Sequence, residues 1–149
     1  VLAALGTGGS EADARDVGVS LPSAPKGVGP RPAISPTGDV AVITGVGNDV
    51  GFDNIVARQV IAFGRPGDIA FGISTSGNST NVLVALEQAK KQGLITVALT
   101  GYDGGKMAHS PTVDYCITAA SDHIPRIQEA QATVYHAMLD VVWAVLSAD

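Results

Sequence analysis

Residues 67–79 constrain the fold more than any other part of the sequence. A glycine and an aspartate lead into a short apolar run, which stops at a group of hydroxyl side chains around a glycine: Ser74, Thr75, Ser76 and Ser79 around Gly77. A helical pattern follows at once, so the order predicts a buried strand, a polar turn and a helix N-terminus. Unpaired N–H groups and the positive dipole end at a helix start bind anions, and hydroxyls add neutral donors. The turn therefore predicts a phosphate site.

Strand and helix patterns alternate along the rest of the chain. Strands are predicted at 1–4, 69–73, 94–99 and 114–117, and helices at 52–63, 79–92 and 124–146. Strands separated by helices of this length pair in parallel, which predicts a doubly wound α/β sheet. Ligands of such sheets bind beyond the carboxyl ends of the strands, where residues 74–79 and the glycine-rich residues 6–10 would lie.

Residues 15–38 do not fit this alternation, since they hold five of the eight prolines and four glycines. An interior proline costs a helix about 3 kcal/mol, so this segment predicts an irregular loop or extended chain. The chain has no internal repeat and no other candidate linker. We therefore expect a single domain over residues 1–149.

Composition excludes several classes of function. A net charge of −5 argues against a nucleic-acid-binding surface, and a single cysteine excludes an internal disulfide and a cysteine-rich zinc site. Cys116 lies in an apolar segment and is expected to be buried. No apolar run is long enough to span a membrane and no signal peptide is visible, so a cytoplasmic protein that binds no membrane is expected.

The last predicted helix carries the candidate for proton transfer. His136 lies deep in this helix, where a histidine is either a core or interface residue or a functional group, while His109 and His123 fall in polar loops. Gln128 precedes His136 by eight residues, about 12 Å along a helix, so both side chains could border one pocket.

Residues 6–10 lack the spacing of a dinucleotide fingerprint, and the sequence has no ATP-type phosphate loop.

Several short motifs, taken in order, resemble the sugar isomerase (SIS) domain of phosphoheptose isomerases. The resemblance runs nearly end to end and rests on residues 6–10, 47–52, 57–60, 64–68, 72–79, 99–108 and 126–129, together with His136. It implies a five-stranded parallel sheet flanked by helices, a flavodoxin-like three-layer sandwich. It further implies isomerisation of sedoheptulose 7-phosphate to D-glycero-D-manno-heptose 7-phosphate, for the heptose of bacterial lipopolysaccharide.

The same resemblance implies roles for individual residues. The phosphate would be held by Ser74, Thr75, Ser76 and Ser79, and the sugar would be lined by Thr7, Gly8, Gly9, Ser10, Asn48 and Asp49, with Gln128 nearby. Gln128 and His136 would be zinc ligands, and His136 would also transfer protons. The family forms homotetramers with sites at subunit interfaces. Its chains usually begin with further helices, so a dimer is the expected alternative here.

Two departures from the family pattern bear on catalysis. A zinc-binding histidine is replaced by Asp16, and the glutamate that serves as both ligand and base is replaced by Ser20. Asp16 could still bind a metal, but a serine cannot replace a general base unaided, so a weak zinc site or none is expected. The alternative is a non-catalytic module that binds a sugar phosphate or a partner protein. Such a module would be similar to the SIS protein that associates with the bacterial replication initiator.

Overall fold

The computed structural model describes residues 1–148 and contains one parallel sheet. The five strands have the order β2-β1-β3-β4-β5 and comprise β1 (Leu2–Leu5), β2 (Ala33–Ile34), β3 (Ile69–Ser74), β4 (Ile95–Gly101) and β5 (Tyr115–Ala119). The helices are α1 (Gly9–Ser20), α2 (Val40–Val50), α3 (Ala57–Phe63), α4 (Thr80–Lys91), α5 (Gly105–Ala108) and α6 (Ile124–Ser147). The strand order reverses direction between β1 and β3, where flavodoxin-like sheets bind ligands. The predicted doubly wound sheet is confirmed.

Alternating side chains of β1 divide the core into two layers. Leu5 packs on the face covered by α3 and α4, with Val60 and Leu86, while Ala4 packs on the opposite face with Val17 of α1 and Leu139 of α6. All six of these side chains are buried. The alternation is what a strand buried on both faces requires. It places α1 and α6 together on one side of the sheet.

The prediction that residues 15–38 form an irregular loop or extended chain is wrong for residues 15–20. Residues 15–20 form the second half of α1, and Ala33–Ile34 pairs with β1 as an edge strand. The helix continues to Ser20 because the first proline comes only at Pro22, which has no backbone N–H to extend the helix further. The expected absence of a helix between Pro22 and Pro36 agrees with the described chain.

The second half of the β1–β3 connection also differs from the prediction. The single helix expected over 52–63 is broken into a short 3-10 helix, Phe52–Asn54, and α3. A further helix, α2, was not predicted at all, and none of its residues is buried. A surface helix is recognised in a sequence by one apolar and one polar face. The valine-rich sequence of α2 lacks the polar face, so the helix was not predicted.

Cys116 is exposed rather than buried, contrary to the expectation from its apolar neighbours. It lies on β5, which is an edge strand of the sheet. Within residues 1–148, no helix combines the length and apolarity that a membrane crossing needs.

Asp114 fastens the start of β5 to β4 and α4. Its carboxylate accepts from the backbone N–H and the hydroxyl of Thr96, at 3.0 Å each, and pairs with Lys90. The Lys90 ammonium and the two Thr96 donors lower the pKa of Asp114 to about 2. A depressed carboxyl pKa adds stability above the unfolded pKa, and this stability is lost as the pH falls through the folded pKa.

We therefore expect Asp114→Asn to lower the melting temperature at pH 7. The difference from the wild type should shrink between pH 4 and about pH 2, where the native carboxylate becomes protonated. Thermal unfolding followed by circular dichroism measures this, with Asp53→Asn as an exposed control. An Asp114→Asn difference that stays constant over this pH range would contradict the role given to Lys90 and Thr96.

Candidate functional site

The hydroxyl turn, residues 74–79, joins the end of β3 to the start of α4. Ser74 is buried, and its Oγ lies 2.9 Å from Oγ of Ser79, the N-cap residue of α4. The N–H of Gly77 donates to the carbonyl of Ser74 at 3.2 Å and closes the turn, with half-buried Ser76 at its outer side. The Ser79 side chain makes no capping bond to α4 within the described chain. The turn therefore offers hydroxyls and helix N–H groups to an anion.

The short helix α5 and the preceding loop hold this turn in place. Asn78 Oδ1 accepts from the N–H of Lys106 at 3.0 Å, and the N–H of Met107 donates to the carbonyl of Gly77 at 3.0 Å. The carbonyl oxygen of half-buried Thr75 packs against the end of β4. The turn is thus fixed by β4 and α5 as well as by its own hydrogen bonds.

The glycine-rich loop after β1 lies beside the hydroxyl turn. Thr7 Oγ1 is 3.4 Å from Nδ2 of Asn81, a buried residue in the first turn of α4. Gly8 has a φ of +62° and is the N-cap of α1, and a Cβ on Gly9 would overlap the amide of Gln128 from α6. Four elements therefore meet at the carboxyl edge of the sheet. The neighbouring Ser10 is buried.

A second cluster lies in the groove between α1 and α6. The hydroxyl of Tyr135 donates to Oδ2 of Asp16 at 2.7 Å, and Nε2 of His136 lies 3.3 Å from the same oxygen. Tyr135 is 4% exposed, whereas the side chains of His136 and Asp16 are 58% and 45% exposed. The carboxylate is thus anchored from the protein side and the imidazole faces outward.

Burial and charge set the protonation of this cluster. Burial, followed by the hydrogen bond to Asp16, raises the pKa of Tyr135 well above its usual range, so its hydroxyl stays a donor. Burial and the charge of Asp16 raise the pKa of Asp13, one turn earlier on α1, and His136 opposes that rise. The Oδ2 atom of Asp13 is buried with no hydrogen-bond partner in the described structure. The two carboxyl groups and the imidazole therefore lie close enough in the groove for Asp16 and His136 to influence Asp13.

The two clusters are separated along the groove. Gly9 contacts Gln128, and Asp16 contacts His136, so α1 and α6 run side by side in the same direction. The seven helical steps from Gly9 to Asp16 correspond to roughly 10 Å of rise. The structure therefore joins Gln128 to the glycine-rich loop, and it joins Asp16 to His136.

This arrangement fits zinc poorly. In residues 1–148, no group of three or more His, Cys, Asp or Glu side chains could hold a metal ion. The Asp16 oxygen nearest His136 already accepts from Tyr135, and Ser20, one turn further along α1, is not a zinc ligand. The Gln128 amide lies against Gly9.

Asn48 and Asp49 contact each other on α2. They are exposed near the end of α2, and Asn48 Nδ2 donates to Asp49 Oδ1 at 3.0 Å. No hydrogen bond in the described part of the chain connects either residue with the hydroxyl turn or the groove. Their expected part in lining the sugar stays a prediction.

Sequence reasoning missed three residues that the structure brings to the site. Tyr135 and Asn81 contact residues 119 and 74 positions away, and no local pattern reveals such pairs. Asp13 lies three residues before Asp16 and therefore on the same face of α1. A predicted helix that extended through residue 20 would have placed Asp13 beside Asp16.

Known proteins resemble this chain over most of its length. The SIS domain family model matches residues 1–101. The phosphoheptose isomerase of Rhodospirillum rubrum is 44% identical over 138 residues, which cover 92% of this chain and 72% of that protein. The phosphoheptose isomerase of Sulfurimonas denitrificans is 43% identical, with 92% and 70% covered.

Solved structures agree with the sequence relatives. The phosphoheptose isomerase of Neisseria gonorrhoeae superposes with a TM-score of 0.87 at 38% identity, covering 95% of this chain and 74% of that one. A phosphoheptose isomerase from Francisella tularensis gives a TM-score of 0.88 at 37% identity, covering 95% and 75%. Fold and sequence thus lead to the same group of proteins.

Proposed function

Since the chain belongs to the phosphoheptose isomerase family of SIS-domain proteins, we propose that it is an aldose–ketose isomerase of sugar phosphates. The proposed reaction converts sedoheptulose 7-phosphate to D-glycero-D-manno-heptose 7-phosphate. The observation that carries this proposal is the hydroxyl turn at the N-terminus of α4, which offers a phosphate the Ser74–Ser79 pair and the first N–H groups of the helix. Ser76 and Thr75 would complete the phosphate site.

The chemistry needs one group that takes and returns a proton. The base removes a proton from C1 of the ketose, the C–H electron pair forms the C1–C2 double bond of an enediol, and a proton returns at C2. The hydroxyl proton moves from O1 to O2, which leaves a C1 aldehyde. His136 suits the base because imidazole titrates near neutral pH, and its exposed side chain can reach a substrate.

The proposal includes an assembly of several copies. The hydroxyl turn opens at the carboxyl edge of the sheet, whereas His136 lies in the α1–α6 groove on one face. A second copy that carries its turn to this groove would bring phosphate anchor and base together. The exposed apolar surface of α2, with Val40 at 71% exposure, offers further area for such contacts. We propose a homo-oligomer, a tetramer or a dimer.

Two finer details belong to the proposal as well. The enzyme would act in the cytoplasm, in heptose synthesis for lipopolysaccharide. Thr7, Gly8, Gly9 and Gln128 would border the sugar, since they adjoin the hydroxyl turn.

A direct assay tests the reaction. The full chain is supplied with sedoheptulose 7-phosphate, and the aldose phosphate is followed by NMR, once with a chelator and once with added zinc. We expect aldose to form. The absence of turnover under both conditions would exclude the isomerase.

A second candidate function is favoured by Ser20, which removes the family's general base. In that case the chain would bind a sugar phosphate or a partner protein without converting the sugar. Binding of sedoheptulose 7-phosphate in calorimetry, combined with no turnover in the assay, identifies this alternative.

The hydroxyl turn itself makes a separate prediction. Replacing Ser76 and Ser79 together by alanine should weaken sedoheptulose 7-phosphate binding at least about tenfold, because a hydrogen bond to a charged group contributes roughly 1.5–3 kcal/mol. Isothermal titration calorimetry measures the affinity. Ser23→Ala, an exposed serine after α1, is the matched control. Equal affinities of the double variant and the wild type would exclude the turn as the phosphate anchor.

A further inference from the structure

Asp16 is held in one position by α6. Its Oδ2 accepts from the Tyr135 hydroxyl at 2.7 Å, and Tyr135 is itself buried in the core beneath the groove. The same oxygen lies 3.3 Å from Nε2 of His136. Two consecutive residues of one helix thus contact one carboxylate oxygen, one from the buried side and one from the exposed side.

No cation on α1 competes for this carboxylate. The helix contains a single basic residue, Arg15, and its guanidinium pairs with Glu11, with Nε and an NH₂ group at 3.0 and 2.8 Å from Oε1. Asp13 lies one turn before Asp16 on the same helix, and burial and the charge of Asp16 raise its pKa. A carboxylate oxygen 3.3 Å from Nε2 favours the neutral tautomer of His136 that carries its proton on Nε2, because that nitrogen can then donate to the oxygen.

We propose that Asp16 is a positioning residue for His136, and that the two form a metal-free aspartate–histidine pair in place of a zinc site. Asp16 fixes the imidazole with its proton on Nε2, which leaves Nδ1 as the atom that accepts the substrate proton. When Nδ1 takes the proton, the carboxylate stabilises the imidazolium until the proton returns to the neighbouring carbon. The catalytic role of the pair rests on the proposed isomerase activity. The existence of the pair does not depend on that activity.

The tautomer of His136 is the readout that does not depend on activity. Nitrogen-15 NMR of the labelled full chain distinguishes the two ring nitrogens, with His136→Ala used to assign the signal. We expect the Nε2–H tautomer in the wild type and a mixture of tautomers in Asp16→Asn. A His136 signal that is the same in both proteins would overturn the proposal.

Tyr135→Phe keeps the ring in the core and removes only the anchor of Asp16. Its His136 signal should shift part of the way toward that of Asp16→Asn, while circular dichroism stays that of the wild type. An unshifted signal in a folded Tyr135→Phe chain would show that Tyr135 does not hold the carboxylate, and would overturn this part of the proposal.

Zinc binding gives an independent test. The wild type is titrated with zinc alone, and binding is measured by calorimetry. We expect no zinc site that depends on both Asp16 and His136, which the variants Asp16→Asn and His136→Ala test. A one-to-one zinc site that disappears in both variants would overturn the metal-free pair.

The kinetic arm separates this inference from the proposed function. If the wild type turns over, Asp16→Asn should lower kcat at least about tenfold with little change in KM, because an orienting carboxylate acts on the proton transfer and not on binding. Unchanged kcat would overturn the positioning role. If the wild type does not turn over and the tautomer still depends on Asp16, the isomerase fails and the pair stands.

Discussion

Replacing His136 by alanine is expected to lower kcat for sedoheptulose 7-phosphate by about 10²–10⁴-fold, the usual contribution of a positioned general acid–base group. Its side chain is 58% exposed, so the substitution leaves no cavity in the core. The melting temperature should therefore stay near that of the wild type. Steady-state kinetics, with thermal unfolding of the same preparation, measures both quantities.

His109→Ala is the matched control for this experiment. His109 is also exposed, but it follows α5 and lies outside the α1–α6 groove. We expect its kcat to equal that of the wild type. If His136→Ala retains full activity, another group transfers the proton and the role given to His136 is wrong.

Gly77→Ala is expected to disrupt the hydroxyl turn and to lower stability by about 2–5 kcal/mol, the sum of left-handed strain and overpacking. Gly77 has a φ of +64°, and a Cβ there would overlap the carbonyl group of Gly104, whose carbon would lie 2.6 Å away. Both partners are backbone, so neither can yield by rotating a side chain. The melting temperature should fall by roughly 5–15 °C, and sugar-phosphate binding should be lost.

Gly67→Ala separates strain from overlap. Gly67 has a φ of +85°, but a Cβ there would meet no atom within 4 Å. Only the left-handed strain of about 1–2 kcal/mol is then expected. Thermal unfolding and calorimetry of both variants give the comparison. Equal losses of stability in the two variants would contradict the close packing of residues 74–79 against the loop before α5.

The sequence predicted the regular part of the fold well because its patterns are local. Four strands and the helices α4 and α6 lie within two residues of their expected bounds, since apolar runs and periodic apolar positions mark them directly. The two-residue strand β2 has no such pattern. It forms because β1 offers a free edge with which the chain can pair. The N–H of Leu2 on β1 donates to the carbonyl of Pro32, just before β2.

The candidate site was predictable only in part, for a similar reason. The hydroxyl turn is continuous in sequence, so its residue types reveal it. The contacts of Asp16 with Tyr135 and His136 join helices at opposite ends of the chain, and they depend on α1 continuing past Arg15. The segment from residue 15 onward was expected to be irregular. The sequence therefore did not predict a helix that places Asp16 beside α6.

Deuterium uptake from heavy water is the most direct test of the proposed isomerase. Because His136 is exposed to solvent, a proton that it removes from C1 of sedoheptulose 7-phosphate should exchange with the medium before it returns. Mass spectrometry and NMR of the sugar should show deuterium at C2 of the aldose formed by the wild type, and none with His136→Ala. A wild-type chain that binds the sugar phosphate in calorimetry, yet forms no aldose and incorporates no deuterium, would contradict the account.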